Sequence, residues 1–138
     1  MTLVDAGPLI ALIDKGQGEA HEKCVVAQKL VVGSLLTTWP CLAEAMYLLG
    51  ELGGWHWQEA LWRFLEKEAL LVHAPGKDET ARMRSLMEKY RDTPMDLADA
   101  SLVALAEERG LKRIFTLDRD FYAYRIGDRE AFEIFQSG

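Results

Sequence analysis

Five carboxylates occupy positions from which chemistry could be done. Asp5 directly follows the β-like run 2–4, and Asp118 stands just past another such run at 114–116. Glu44 lies in the second turn of a helix that Pro40 opens, at a position early in a helix where proline is favoured. Asp96 and Asp99 share the first turn of a further helical stretch, three residues apart and so on one face with Val103 and Ala106. Carboxylates that converge repel one another and raise each other's pKa unless a cation lies between them, and an all-oxygen ligand set suits Mg²⁺ or Mn²⁺. Such an ion can turn water into a nucleophile and steady the charge of an in-line phosphoryl displacement. Each acid also has a plainer reading: Asp5 could only cap the helix entered at Gly7-Pro8, Asp96 could cap its own helix, and a lone glutamate in a helix is usually solvated.

The other reactive residue types offer less. His21, His56 and His73 lack companions at ligand spacing, and His21 is expected to be a solvated helix-surface residue. Attack by a ribose 2′-hydroxyl would want a well-placed acid and base, which these histidines do not supply. Cys24 and Cys41 have no metal-ligand spacing and are expected to be buried free thiols.

The stretch 96–106 shows how an acid could be fixed in place. Leu97, Ala98, Ala100, Leu102, Val103, Ala104, Leu105 and Ala106 point in every direction at about 100° per residue, which predicts a helix buried nearly all round. Burying carboxylates there costs several kcal/mol unless helix N-terminal amides, a cation or a metal compensates. Strands are expected at 2–4, 35–39, 69–72, 114–116 and 132–135. Helices are expected at 9–13, 19–30, from Pro40 to about Gly50, 55–68, 77–90 and 96–109, with a short helical stretch at 121–124. Strands alternating with helices imply βαβ units and a mainly parallel sheet covered on both faces. Acids at the carboxyl ends of parallel strands would then meet along one edge, where open α/β sheets place their ligands.

With 138 residues, of which 49% are apolar, the chain is expected to form one domain, 1–138. No run approaches the roughly 18 uncharged apolar residues of a membrane span, and the N-terminus lacks a basic flank and a cleavage site, so a cytoplasmic location is expected. Sixteen basic residues against 22 acidic ones give a net charge of −6, which argues against holding nucleic acid by a general basic surface but leaves a local site open. Arg82, Arg84, Lys89, Arg91, Arg119, Arg125 and Arg129 are candidate phosphate contacts. In the helix at 55–68, Trp55, Leu61, Trp62 and Leu65, with Trp57 nearby, are expected to form a core-facing stripe; the alternative is an exposed patch for a partner chain or a dimer.

Four pieces in order resemble the PIN-domain nucleases, and among them the VapC-type toxins of toxin–antitoxin pairs. They are Val4-Asp5-Ala6-Gly7-Pro8-Leu9-Ile10, Glu44 six residues after Thr38, Asp96-Leu97-Ala98-Asp99-Ala100, and Thr116-Leu117-Asp118-Arg119-Asp120-Phe121. The resemblance covers nearly the whole chain. It implies a three-layer α/β/α fold with a central, mainly parallel sheet, and a ribonuclease using Mg²⁺ or Mn²⁺. Asp5, Glu44, Asp99 and Asp118 match the family's four acidic site residues. Asp96 matches a frequent extra acid that could touch a metal or only cap its helix, and Thr116 matches a hydroxyl residue that could orient Asp118 or a phosphate. The resemblance also implies an RNA substrate, a small antitoxin as inhibitor, and a homodimer.

Three other readings remain. A phosphate-receiving domain also ends its first strand in aspartate, but Asp5 has no acid beside it or two residues on, as receiver and haloacid-dehalogenase-like proteins would. A catalytically silent PIN-like RNA-binding module would bind no metal. A PIN nuclease could also serve RNA processing rather than a toxin's role.

Overall fold

The structure is a computed structural model, and residues 1–31 and 33–135 are the ones it describes. Among these, five strands form one parallel sheet: β1 (Thr2–Val4), β2 (Leu35–Thr38), β3 (Leu70–His73), β4 (Arg113–Phe115) and, at one edge, a strand at Glu133–Phe135. Six helices connect or flank them: α1 (Ala6–Ile13), α2 (Glu19–Leu30), α3 (Trp39–Gly53), α4 (Trp55–Glu66), α5 (Lys77–Lys89) and α6 (Leu97–Arg109). A two-stranded hairpin, β5 (Arg125–Ile126) and β6 (Glu130–Ala131), precedes the edge strand, which is therefore β7. The hairpin has no counterpart in the sequence reading, because two-residue strands are too short to show an alternation.

The sheet order is β3-β2-β1-β4-β7. From β1 the chain steps outward through β2 to β3, then returns past β1 to β4, so the winding reverses between β1 and β4. Such a switch point opens a crevice at the carboxyl ends of the strands. Asp5 leaves β1 there, and Asp118 follows β4 by three residues.

Strand alternation explains the three layers. Leu3, Leu36 and Ile114 pack with Met83, Leu86 and the buried residues of α6, while Val4, Leu35 and Phe115 pack with Leu9, Ala27, Leu42, Leu49 and Leu61 from α1 to α4. The expected α/β/α arrangement with its central parallel sheet is the one observed.

Several local expectations change. Trp39 opens α3 rather than ending β2, because the Thr38 hydroxyl caps the helix by accepting from the Cys41 amide. Helix α4 ends at Glu66, and Glu68 takes a left-handed φ of 57° before β3 starts at Leu70. The α4 stripe splits: Leu61 is fully buried and Trp57, Phe64 and Leu65 pack on the core, but Trp55 and Trp62 are exposed. A tryptophan is too large to bury wherever a helix is covered on one side only. Helix α6 is buried from Ala98 to Ala106, yet Leu97 is exposed at its open N-terminus. His21 is half-buried instead of solvated, with Nδ1 2.6 Å from the Ala11 carbonyl oxygen. Cys24 and Cys41 are buried free thiols, as expected, and burial raises both pKa values, to about 11 and about 12. No helix among the described residues is long and apolar enough to cross a membrane.

Candidate metal centre

The first acid of the crevice is held from two sides. Asp5 caps α1, its Oδ1 accepting from the Ala6 amide at 2.8 Å, while Oδ2 accepts from the Thr116 hydroxyl at 3.0 Å. The Thr116 oxygen in turn accepts from the Asp118 amide at 3.0 Å, so one side chain ties the ends of β1 and β4 together. Thr116 was expected to orient Asp118 or a phosphate; it orients Asp5 by its proton and Asp118 by its lone pair. Asp118 also caps the 3₁₀ turn Arg119–Tyr122, with Oδ1 accepting from the Asp120 amide at 2.9 Å.

Asp99 reaches the same place from α6. The helix is anchored over the sheet by a buried polar contact in which the Thr38 and Ser101 hydroxyls meet at 2.6 Å; Ser101 also donates to the Ala98 carbonyl of its own helix. Asp96 is the N-cap, its Oδ1 accepting from the Asp99 amide at 2.8 Å. This leaves Asp99 one turn inside and 6% exposed, where its Oδ2 accepts from the Tyr124 hydroxyl at 2.9 Å. Tyr124 is fully buried and braced edge-on by Tyr90 and Phe121. Sequence reading missed this tyrosine, since nothing in a short helical stretch marks a residue whose partner is 25 positions away.

One carboxylate oxygen from each of Asp5, Asp99 and Asp118 lies within 4.8 Å of the other two. Glu44 and Asp96 are exposed and line the same cleft of about 290 Å³, outside that tight group. The structure therefore brings all five acids to one crevice and three of them to one point.

Electrostatics make this point an unfinished site. Burial pushes the Asp99 carboxyl up from 3.8 to about 7, with the negative charges of Asp96, Asp5 and Asp118 adding to the rise and the Tyr124 hydrogen bond opposing it. Asp5 is also raised, chiefly by burial, against the pull of the Ala6 amide and Thr116. Glu44 is raised too, first by partial burial and then by Asp96, Asp5 and Asp118. Among the described residues no lysine or arginine pairs with any of the five. The donor set fits a hard divalent cation. It is all oxygen and anionic, and its spacing suits an ion roughly 2.0–2.6 Å from each ligand, whose oxygens can stand at most about twice that distance apart.

The remaining candidates fall elsewhere. His73 Nε2 meets the Glu79 carboxylate at 2.8 Å, a structural pair at the start of α5. Of the cations proposed for phosphate, Arg82 and Lys89 are engaged by Glu107 and Asp128, Arg91 donates to the Glu88 carbonyl, and Arg125 donates to the carbonyls of Tyr122 and Tyr124. Arg84, Arg119 and Arg129 are exposed.

Solved structures share this fold. The Mycobacterium tuberculosis toxin VapC20, described as a sarcin-ricin loop cleaving toxin, superposes with a TM-score of 0.82 at 19% identity over 89% of this chain and 94% of its own. A toxin–antitoxin complex from Klebsiella pneumoniae contains a chain with a TM-score of 0.70 at 19% identity, over 97% of this chain and 100% of that one. VapBC2 from Rickettsia felis, bound to a DNA fragment from its promoter, gives a TM-score of 0.65 at 12% identity, over 97% and 98%. No curated protein matches the chain by sequence. At these identities the likeness is one of fold, but the PIN domain family model matches residues 2–127 directly. The chain, with its acids gathered at the switch point of a parallel sheet, belongs to the PIN domain family.

Proposed function

We propose that the chain is a divalent-metal-dependent endoribonuclease and the toxin of a toxin–antitoxin pair, with Asp5, Asp99 and Asp118 as metal ligands. The observation that carries this reading is the trio of carboxylates within 4.8 Å of one another, two of them buried, with no lysine or arginine among the described residues to offset them. Glu44 and Asp96 stand on the rim, where Glu44 assists directly or through water and Asp96 combines helix capping with a second, outer contact. When bound, Mg²⁺ or Mn²⁺ supplies Lewis-acid stabilisation of the phosphodiester charge and lowers the pKa of water toward neutrality.

This chain's own residues do the positioning. Thr116 and the Ala6 amide hold Asp5, the Asp120 amide holds Asp118, and Tyr124 turns Asp99 toward them. Hydrogen bonds of this outer kind set ligand orientation in metal sites. The acidic cleft, lined by carboxylates, suits attack by a water molecule on the phosphodiester, and the resemblance to PIN-domain nucleases implies 5′-phosphate and 3′-hydroxyl products. The similarity to VapC20 supports RNA as substrate, and the similarity to chains from toxin–antitoxin complexes supports a small antitoxin as partner. A homodimer and a cytoplasmic location belong to the same reading.

Cleavage of single-stranded RNA in Mg²⁺, in Mn²⁺ and in chelator tests it. Activity should require the metal. Asp99→Asn should lose at least the roughly 100-fold that even outer-shell changes can cost at a metal site. Undiminished cleavage in chelator or in Asp99→Asn would overturn the assignment.

A further inference from the structure

A groove of about 490 Å³ runs between the end of α1 and one face of α4. Its α4 wall is a single stripe: His56, Ala60, Arg63 and Lys67 recur at spacings of three and four residues, with Trp57 and Phe64 beside them. From His56 to Lys67 the stripe is about 16 Å long, three turns of helix. Leu12 and Ile13, in the last turn of α1, form the facing wall. Lys15 follows in the 3₁₀ turn Lys15–Gln17, which the buried Asp14 caps by accepting from the Gly16 amide. Asp5 caps the other end of α1, so the groove stands about 12 Å along that helix from the acidic cleft, and the two share no lining residue.

The floor of the groove is apolar and firm. Leu12, Ile13, Trp57 and Phe64 are half-buried and pack on the core beneath, and Trp57 lies so close to Gly53 that a Cβ at that position would not fit. The rim is basic. At about 100° per residue, His56, Arg63 and Lys67 stand within about 40° of one another along the outer edge of α4, and Lys15 is exposed on the opposite wall. Among the described residues no carboxylate lines the groove, and Lys15 and Lys67 make no ion pair. Arg63 is held one turn away by Glu59, an exposed pair of the kind that contributes little and is readily exchanged. In a chain of net charge −6, this rim is a local reversal of sign.

An elongated apolar floor between cations fits a helix laid lengthwise, with apolar side chains every three or four residues pointing down and carboxylates pointing out. Single-stranded RNA would need an open aromatic face, and here both rings are sunk among aliphatic side chains and packed on the core. A second copy of the chain meeting this face about a two-fold axis would set one basic rim against the other. Charge complementarity therefore selects an acidic partner. We propose that the groove between the end of α1 and the face of α4 is a docking site for an acidic amphipathic helix of a partner protein, its apolar side on Leu12, Trp57 and Phe64 and its carboxylates on Lys15, Arg63 and Lys67. The proposal goes beyond the nuclease reading and stands without it.

The probe is a stapled three-turn peptide labelled with fluorescein, leucine along one side and glutamate elsewhere, together with a counterpart carrying lysine in place of glutamate. Titrated against the wild-type chain and followed by anisotropy, the glutamate peptide should bind and the lysine peptide should not. Lys15→Glu and Lys67→Glu should each weaken the glutamate peptide by about tenfold. The double variant should bind the lysine peptide instead, an exchange of preference that damage to the fold would not produce. RNA cleavage in Mn²⁺ should be the same in the double variant as in the wild type. A wild type that binds neither peptide, or both alike, overturns the proposal, as do variants that keep the wild-type preference. Loss of single-stranded RNA binding in the double variant overturns it in favour of a nucleic-acid surface, and a wild-type dimer that the double variant dissolves, read by sedimentation, overturns it in favour of a second copy. Selective peptide binding by a chain that cleaves no RNA supports the groove and counts against the nuclease reading alone.

Discussion

Two clusters of charge sit at opposite ends of helix α6, and they are handled in opposite ways. At its C-terminal end Arg82 forms a two-pronged pair with Glu107 at 2.8 and 3.0 Å and also meets Asp128 at 2.9 Å, where Lys89 joins it at 2.8 Å. The Gly127 amide completes Glu107, so the β5–β6 hairpin is clasped to α5 and α6 by matched charges. Here the cations lower the Asp128 pKa. At the N-terminal end five carboxylates pair with no lysine or arginine among the described residues, and the Asp99 pKa is driven up to about 7 instead. The same residue type is thus finished by the protein at one end and left for a ligand at the other. A perturbed group without an internal partner, sitting in a crevice, is the more informative of the two.

The contrast can be sharpened first at Tyr124. Replacing it with Phe removes the hydrogen bond that favours the charged form of Asp99 but keeps the ring that packs on Tyr90 and Phe121. Divalent-metal affinity, read by calorimetry, should fall about 10- to 100-fold, and the pH at which metal binds should rise. At the other end, Arg82→Ala should cost about 1–2 kcal/mol of stability by thermal unfolding, because Glu107 and Asp128 lose a shared partner while Gly127 and Lys89 still cover part of the loss. Its RNA affinity should not change, since Arg82 is already engaged. The smallest effect is expected at Asp96→Ala. Loss of the cap should cost about 1 kcal/mol, a deficit that shrinks above pH 7, where removing the Asp96 charge also relieves Asp99.

Much of this was legible in the residues themselves. Asp5 and Asp118 could be placed because each follows a short strand, and parallel strands end on one edge. The all-round apolar run of α6 announced a buried helix, and the two acids in its first turn posed the question that the structure divides between a cap and a buried ligand candidate. What the sequence hid is tertiary. The Tyr124–Asp99 bond, the exchange of Thr116 between Asp5 and Asp118, and the capture of Arg82 by Glu107 all join residues whose spacing carries no signal. The tryptophans of α4 misled for a related reason, since periodicity marks an apolar face but not how much of it another element will cover.

The central claim is that the acidic end of α6 is completed by a divalent cation, and thermal unfolding against pH with and without Mn²⁺ tests it most directly. In the folded chain Asp99 keeps its proton up to about pH 7, whereas the unfolded chain releases it near 3.8. Without metal, stability should therefore fall as pH rises through that window. Excess Mn²⁺ should reverse the trend, raising the melting temperature strongly at pH 8 and little at pH 5, and Asp99→Asn should lose most of both the metal-free slope and the metal effect. A melting temperature at pH 8 that does not respond to Mn²⁺ would contradict the account.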